Sequence, residues 1–261
     1  MLRYVRHALL LLGKGAMQYR SSLLMQVLAQ FVMTGGELLA VVVVLTRFTT
    51  VGQWSGPEIF FYFGMMQCAF SLTEMLGRGV TAFPYFVQRG EFDALLLRPR
   101  PLLVQTLVSQ IDLRRAGSFL VGAVSAVAAF SRLQLVWTAG KVLLLLWSLL
   151  GSVMLVLGLF LIEATMSFFS VKSIEMVNIL TYGGRSACQY PVDIFPTPLR
   201  LLFTWVAPFG MCMHWPVSYL LGRPLAGLAP TLLGPAAGVV VFAAMTALWY
   251  AGARRYRSTG S

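Results

Sequence analysis

The sequence predicts an all-α membrane protein with six transmembrane helices, and three observations carry that expectation. Of its 261 residues, 58% are hydrophobic and only 11% are charged. The mean hydropathy is +0.77. The apolar residues also gather into runs close to the roughly 20 that cross a bilayer core. A soluble domain carries roughly 45–50% apolar and about 25% charged residues, because its surface must be covered with polar groups. The same numbers exclude a disordered chain, a collagen-like chain and a disulfide scaffold.

The elements follow in order. The N-terminal stretch has Arg3, Arg6 and His7 before an apolar run, but Lys14 and Arg20 follow and no small-residue cleavage site is present. It is therefore read as an interfacial helix over residues 1–22 rather than a signal peptide. The first span is expected at 23–45 and the second at 59–76. Gly52, Gly56 and Pro57 break the loop between them. A polar connection, 77–115, leads to a third span at 116–131. The fourth span is 142–169, the fifth 174–189 and the sixth 228–251. Between the last two lies 190–227, apolar but interrupted by Pro191, Pro196, Pro198, Pro208, Pro216 and Pro224. It is predicted to be an external re-entrant helical hairpin, its irregular backbone covered by protein or lining water. No internal repeat is visible, so residues 1–261 are expected to form a single transmembrane domain.

The charge sets the orientation. Twenty Lys and Arg face nine Asp and Glu, a formal net charge of +11. With the N-terminus in the cytoplasm, 14 of the 20 fall on the cytoplasmic side, six of them in 77–115. Arg47, Arg132, Lys141, Arg185, Arg200 and Arg223 remain for the outside. The reverse orientation contradicts the positive-inside bias, so both termini are expected in the cytoplasm. The basic excess is a topology signal, and no nucleic-acid partner is needed to explain it. Cys68, Cys188 and Cys212 form no metal-binding or CxxC spacing; they are read as buried free thiols, with a Cys188–Cys212 pair as the alternative.

Catalytic sets are missing. The pairs Gly13-Lys14 and Gly140-Lys141 lack the upstream glycine and following hydroxyl of a phosphate loop, and no HExxH or GxSxG occurs. What the sequence does hold is polar residues at helical spacing inside spans. Gln26, Gln30, Thr34 and Glu37 share one face of the first span. Gln67, Ser71, Glu74 and Arg78 share one of the second, with Glu74 and Arg78 placed as an i,i+4 pair. Glu175, Asn178, Tyr182, Arg185 and Gln189 form a third stripe. Such faces turn toward protein or a water-filled path, so they either line a route for a polar or amphipathic substrate or bond one helix to another. Glu37 is singled out because it lies well inside its span with no local partner. Two small-residue stripes, Ser118, Gly122, Ala126 and Gly234, Gly238, are expected to pack helices within one subunit.

The 77–115 connection holds a short helix candidate over 91–97. Gly90 opens it, Glu91 and Asp93 occupy its first turn, and Pro99 and Pro101 stop it. It is expected to be a rigid knob with Phe92, Leu95 and Leu96 exposed for a partner; the alternative is a helix lying on lipid.

These residues resemble a known family. Arg89-Gly90-Glu91-Phe92-Asp93 running to Leu97-Arg98-Pro99, between the second and third spans, looks like the coupling region of type-2 ATP-binding-cassette (ABC) exporter permeases. Tyr190-Pro191-Val192-Asp193-Ile194-Phe195-Pro196, Val206-Ala207-Pro208 and Trp215-Pro216-Val217-Ser218-Tyr219 are similar to the same proteins, in their six-span branch. The resemblance implies a transport subunit and not an enzyme. An ABC ATPase dimer would supply ATP and Mg, with no cofactor on this chain. Arg89, Gly90, Glu91, Phe92, Asp93, Leu96, Leu97, Arg98 and Pro99 would couple to that ATPase. A second permease subunit, a paralogue or a copy, would complete the pathway, which Gln26, Gln30, Thr34, Glu37, Asn178, Tyr182 and Arg185 are expected to line. Tyr190, Pro191, Pro196, Pro208, Trp215 and Pro216 would shape the external hairpin as a gate or dimer contact. The implied activity is export of amphipathic or cationic small molecules, or lipids, across a bacterial inner membrane. The competing reading is a gradient-driven secondary transporter or channel, against which stands the absence of inverted-repeat symmetry.

Overall fold

The computed structural model describes residues 2–48, 50–133, 137–168 and 177–256. An amphipathic α1 (Leu2–Gln18) turns at Tyr19 into α2 (Arg20–Arg47). A minimal hairpin, β1 (Thr50–Val51) with β2 (Trp54–Ser55), leads to α3 (Gly56–Leu76). Gly52 makes its turn at φ 62°, where only glycine is unstrained. The Ser55 backbone N–H donates to the Glu58 carboxylate at 2.7 Å, and Pro57 sits in the first turn, so the start of α3 is fixed locally. Four short helices follow: α4 (Arg78–Thr81), α5 (Phe83–Gln88), α6 (Glu91–Leu96) and α7 (Leu102–Leu107). A tight turn at Leu113–Arg115 enters α8 (Ala116–Arg132), and α9 (Ala139–Met166) comes next. A widened helical turn at Ile179–Gly183 runs into α10 (Gly184–Cys188). The rest comprises α11 (Thr197–Leu201), α12 (Trp215–Leu220), α13 (Leu228–Leu233) and α14 (Ala236–Arg255), with widened turns at Leu202–Val206 and Gly210–His214.

Among the described residues, five helices are long and apolar enough to cross a membrane: Arg20–Arg47, Gly56–Leu76, Leu113–Arg132, Ala139–Met166 and Ala236–Arg255. They fall on the predicted first, second, third, fourth and sixth spans. Of the predicted fifth span, 174–176 and with it Glu175 lie outside the described residues. The predicted sixth span starts too early, because the chain breaks at Gly234-Pro235 between α13 and α14. Pro235 has no N–H to give back to the preceding turn. All three cysteines are free and buried, so no Cys188–Cys212 bridge forms.

Backbone contact holds the bundle. A Cβ on Gly64 of α3 would stand 2.6 Å from both the Gly122 carbonyl oxygen and the Ala126 nitrogen of α8. Gly238 of α14 presses likewise on the Gly151 carbonyl of α9. Close approach through small residues is how helices associate where lipid removes the hydrophobic driving force between them. Both stripes singled out in the sequence thus pack inside the chain. The apolar stretch of α3 is 78% buried, whereas that of α2 is only 11% buried, which makes α2 the outermost of the five.

The two ends of the bundle differ. At the knob end, Arg100 lies over the Tyr4 ring at 5.0 Å and the Leu103 N–H donates to the Tyr250 hydroxyl at 3.3 Å, which gathers α1, α7 and α14. At the hairpin end, Trp54 Nε1 donates to Asp193 at 2.9 Å and Arg223 Nε meets Glu58 at 3.1 Å. Gly64→Leu should lower the thermal midpoint of the solubilised protein, since overpacking costs about 1–3 kcal/mol. Gly140→Ala, which meets nothing within 4 Å, should leave it unchanged.

Candidate functional site

The polar stripes of three segments converge. Arg185 Nη2 donates to Glu37 Oε2 at 3.0 Å and to Gln67 Oε1 at 3.2 Å, and Gln189 Nε2 reaches Glu37 Oε2 at 3.4 Å. The Arg185 guanidinium lies over the Phe70 ring at 5.3 Å, and that ring contacts Tyr182 and Phe160 at 5.7 and 6.0 Å. A second layer lies seven residues along both helices, about 10 Å away. There Arg115 Nη2 meets Glu74 Oε1 at 2.8 Å and Arg115 Nη1 meets Gln30 Oε1 at 3.4 Å. Ser118 Oγ joins Gln30 Oε1 at 3.3 Å and Thr34 Oγ1 at 2.8 Å. A lone charge at the bilayer centre costs at least ~2.5–3.5 kcal/mol, and here each finds an opposite charge or an amide.

At the foot of this layer, Asp112 takes Arg114 Nε at 2.7 Å and Nη2 at 2.6 Å in a two-pronged bond. Burial alone would raise the Asp112 pKa; the Arg114 hydrogen bonds and the Arg114 and Arg115 charges outweigh it and hold the carboxyl below its ordinary value.

The structure corrects one pairing. Glu74 is joined to Arg115 and not to Arg78, because α3 ends at Gly77 and the helical register between residues 74 and 78 is lost. Arg78 instead lines a cleft of about 410 Å³ with Leu12, Gln26 and Asp112. Gln26 is bonded to Ser22 at 3.1 Å and stands apart from the two layers. Of the predicted lining, Gln30, Thr34, Glu37, Tyr182 and Arg185 come together, and Asn178 is half-buried beside them in sequence only. Sequence reasoning missed the role of Arg115, the last residue of the predicted connection, and the buried Glu163 of α9.

At the hairpin end, Asp193 accepts from Trp54 Nε1 and from Gln53 Nε2 at 2.7 Å, and His214 Nε2 lies 3.6 Å away. Tyr62, Trp54 and His214 form a triangle of rings, Tyr62 edge-on to Trp54 at 5.3 Å and tilted 5.5 Å from His214, and the Tyr62 hydroxyl bonds to Ser218 at 2.8 Å. Trp215 and Trp205 meet edge-on at 6.3 Å, beside a cleft of about 290 Å³ that Arg200 and Leu225 also line. Pro191, Pro208 and Pro216 are buried and Tyr190 is half-buried, whereas Pro196 is exposed.

The knob has a different anatomy from the one expected. Gly90 takes φ 71° to start α6. Phe92 is not exposed: it is 0% accessible and lies among the rings of Tyr256, Phe83 and Phe168 at 5.0, 5.1 and 5.7 Å. Phe83 in turn abuts Trp249 of α14 at 5.3 Å. Leu95 is half-buried, and the apolar tip is Leu96 and Leu97, the latter 86% exposed. The buried aromatic rivets the knob to the ends of α9 and α14, and its charged rim holds Arg89 within 3.9 Å of Glu91. Arg98 and Pro99 are exposed beside Leu97, and Asp93 is half-exposed.

Fold and site together define an all-α integral membrane protein whose bundle carries paired charges and whose one end bears an anchored helical knob. Residues 31–260 match the family described as ABC-2 family transporter protein. The chain belongs to that family and is a membrane subunit of an ABC transporter. No curated protein and no solved structure matches it.

Phe92→Ala should destabilise the protein by about 3–5 kcal/mol, the usual cost of emptying a buried aromatic site, while Leu97→Ser should leave the melting temperature in place. Glu74→Gln and Arg115→Gln should each lower stability, and the double variant should lower it by less than their sum. Thermal unfolding of the purified variants checks both.

Proposed function

We propose that the chain is the permease of an ATP-driven exporter that carries amphipathic or cationic small molecules, or lipids, out of a bacterial cytoplasm. It acts as one transmembrane domain, with both termini and the 77–115 region on the cytoplasmic side and 190–227 outside. ATP and Mg stay on a dimeric ATPase partner, and a second permease subunit, a copy or a paralogue, completes the path.

The observation that carries this reading is the Glu37–Arg185 pair. It lies mid-span on α2, with the Glu37 side chain 42% exposed on the least buried helix of the bundle. A carboxylate on a lipid-facing surface is unfavourable by the figures above, so that face of α2 turns toward a second subunit and water. The knob supplies the drive. A push on Leu96, Leu97 and the rim of Glu91, Asp93 and Arg98 passes through Phe92 to Phe168 and Tyr256, and so to the ends of α9 and α14. Closure of the ATPase dimer thereby shifts those helices relative to α2 and α3 and alternates access to the charged layers.

The test is to co-purify the chain with its partner ATPase and measure ATP hydrolysis. Leu97→Glu, and separately Glu91→Lys with Asp93→Lys, should abolish transport and the stimulation of hydrolysis while the melting temperature holds. Normal stimulation in these variants would sink the coupling assignment.

A further inference from the structure

Arg185 is held unlike a structural arginine. Toward Glu37 it uses a single nitrogen, Nη2, and its buried Nε has no hydrogen-bond partner among the described residues. Arg114, one layer away, grips Asp112 through two nitrogens at 2.7 and 2.6 Å. A two-pronged geometry gives an arginine pair its strength and specificity, so the Glu37 contact is the weaker of the two. The partners are also unequally accessible: the Glu37 side chain is 42% exposed and that of Arg185 only 16%. A molecule reaching this face therefore meets the carboxylate first. Behind it lie the Phe70 face at 5.3 Å from the Arg185 guanidinium and, around that ring, Tyr182 and Phe160. A carboxylate beside an aromatic face is the pairing that binds an organic cation.

We infer that Arg185 is a tethered occupant of a subsite for amphipathic cations, and that the positive group of a substrate displaces it from Glu37 and Phe70. The apolar body of such a molecule then lies on Tyr182, which is exposed beside the buried Phe70 and Phe160 rings. On release, Arg185 returns to Glu37, so the empty site never leaves a bare carboxylate within the membrane. An anionic amphiphile is disfavoured, because it would have to pass Glu37 to reach the more deeply held guanidinium. Gln67, which accepts from Arg185 at 3.2 Å, and Gln189 hold the two charges in register during the exchange. This inference rests on the reading of the α2 face as the substrate path.

The experiment is equilibrium binding of ethidium, a cationic probe, and of anilinonaphthalene sulfonate, an anionic one, to the full chain in nanodiscs, with empty nanodiscs subtracted. The wild type should bind ethidium in preference to the sulfonate. Glu37→Gln should weaken ethidium by at least about tenfold, roughly one charge-assisted contact. Arg185→Gln should strengthen it several-fold. The exchange Glu37→Arg with Arg185→Glu keeps an ion pair, and so guards against misfolding of the single variants; it should lose ethidium and gain the sulfonate. An exchanged protein that binds both probes as the wild type does would make the pair structural and overturn the inference, as would a wild type that binds no ethidium. Absent ethidium binding with intact ATPase stimulation discards the subsite and leaves the exporter reading; ethidium binding without any associated ATPase does the reverse.

Discussion

Inside a bilayer a charge needs an opposite charge or a water-filled path, and the pairing of Arg185 with Glu37 and of Arg115 with Glu74 organises everything else. Arg185 bridges α2, α3 and α10 through Glu37 and Gln67, and Arg115 bridges α2, α3 and the start of α8 through Gln30 and Glu74. The two layers recur at the same seven-residue step on antiparallel helices. That step sets the register of α2 against α3 although the two share few other contacts. Glycine contacts do the opposite job: at Gly64–Gly122 and Gly151–Gly238 they fix helices that have no reason to move. The bundle thus joins α3 with α8, α9 with α14 and α2 with α8 by backbone packing, the last at Gly117, where a Cβ would clash with the Val27 carbonyl oxygen, whereas the α2–α3 contact is largely electrostatic.

That division is suited to transport. Rigid pairs transmit displacement, and the α2–α3 and α2–α10 interfaces, held by a few exchangeable charges, can separate and re-form. The aromatic rivet at Phe92 joins the knob to the rigid part, not to α2. At the far end, Asp193 ties the β1–β2 turn to the 190–223 segment through Gln53 and Trp54, and Arg223 lies over the Trp54 ring at 5.1 Å while bonding to Glu58. A closed cap at that end and a rivet at the other leave the charged middle as the part free to rearrange.

Periodicity made much of this legible in the sequence. Glu37, Gln67, Glu74, Arg185 and Gln189 stood out because a polar residue recurring at helical steps in an apolar run has few explanations. What periodicity does not carry is which stripe faces which. Glu37 lies 148 positions from its partner Arg185, and Arg115 answers Glu74 only because Gly77 ends the helix before Arg78 can. Phe92 misled for a related reason. An aromatic on a short helix in a polar connection reads as exposed, and its burying partners Phe83, Phe168 and Tyr256 come from three separate stretches. Gly234-Pro235 does not stand out as a breaker, because the apolar flanks on both sides make one span of what the structure divides in two.

The central claim is that the Glu37 face of α2 meets water and not lipid. Single cysteines at Met33, Ala40 and Leu39, in a chain whose own cysteines are replaced, can be exposed in intact cells to a membrane-impermeant maleimide. Met33 and Ala40 lie within a turn of Glu37 on its own face, and Leu39 points to the opposite one. The account predicts that the first two are labelled and that Leu39 is protected by lipid. Equal protection of all three positions, with the transporter assembled and hydrolysing ATP, would contradict it.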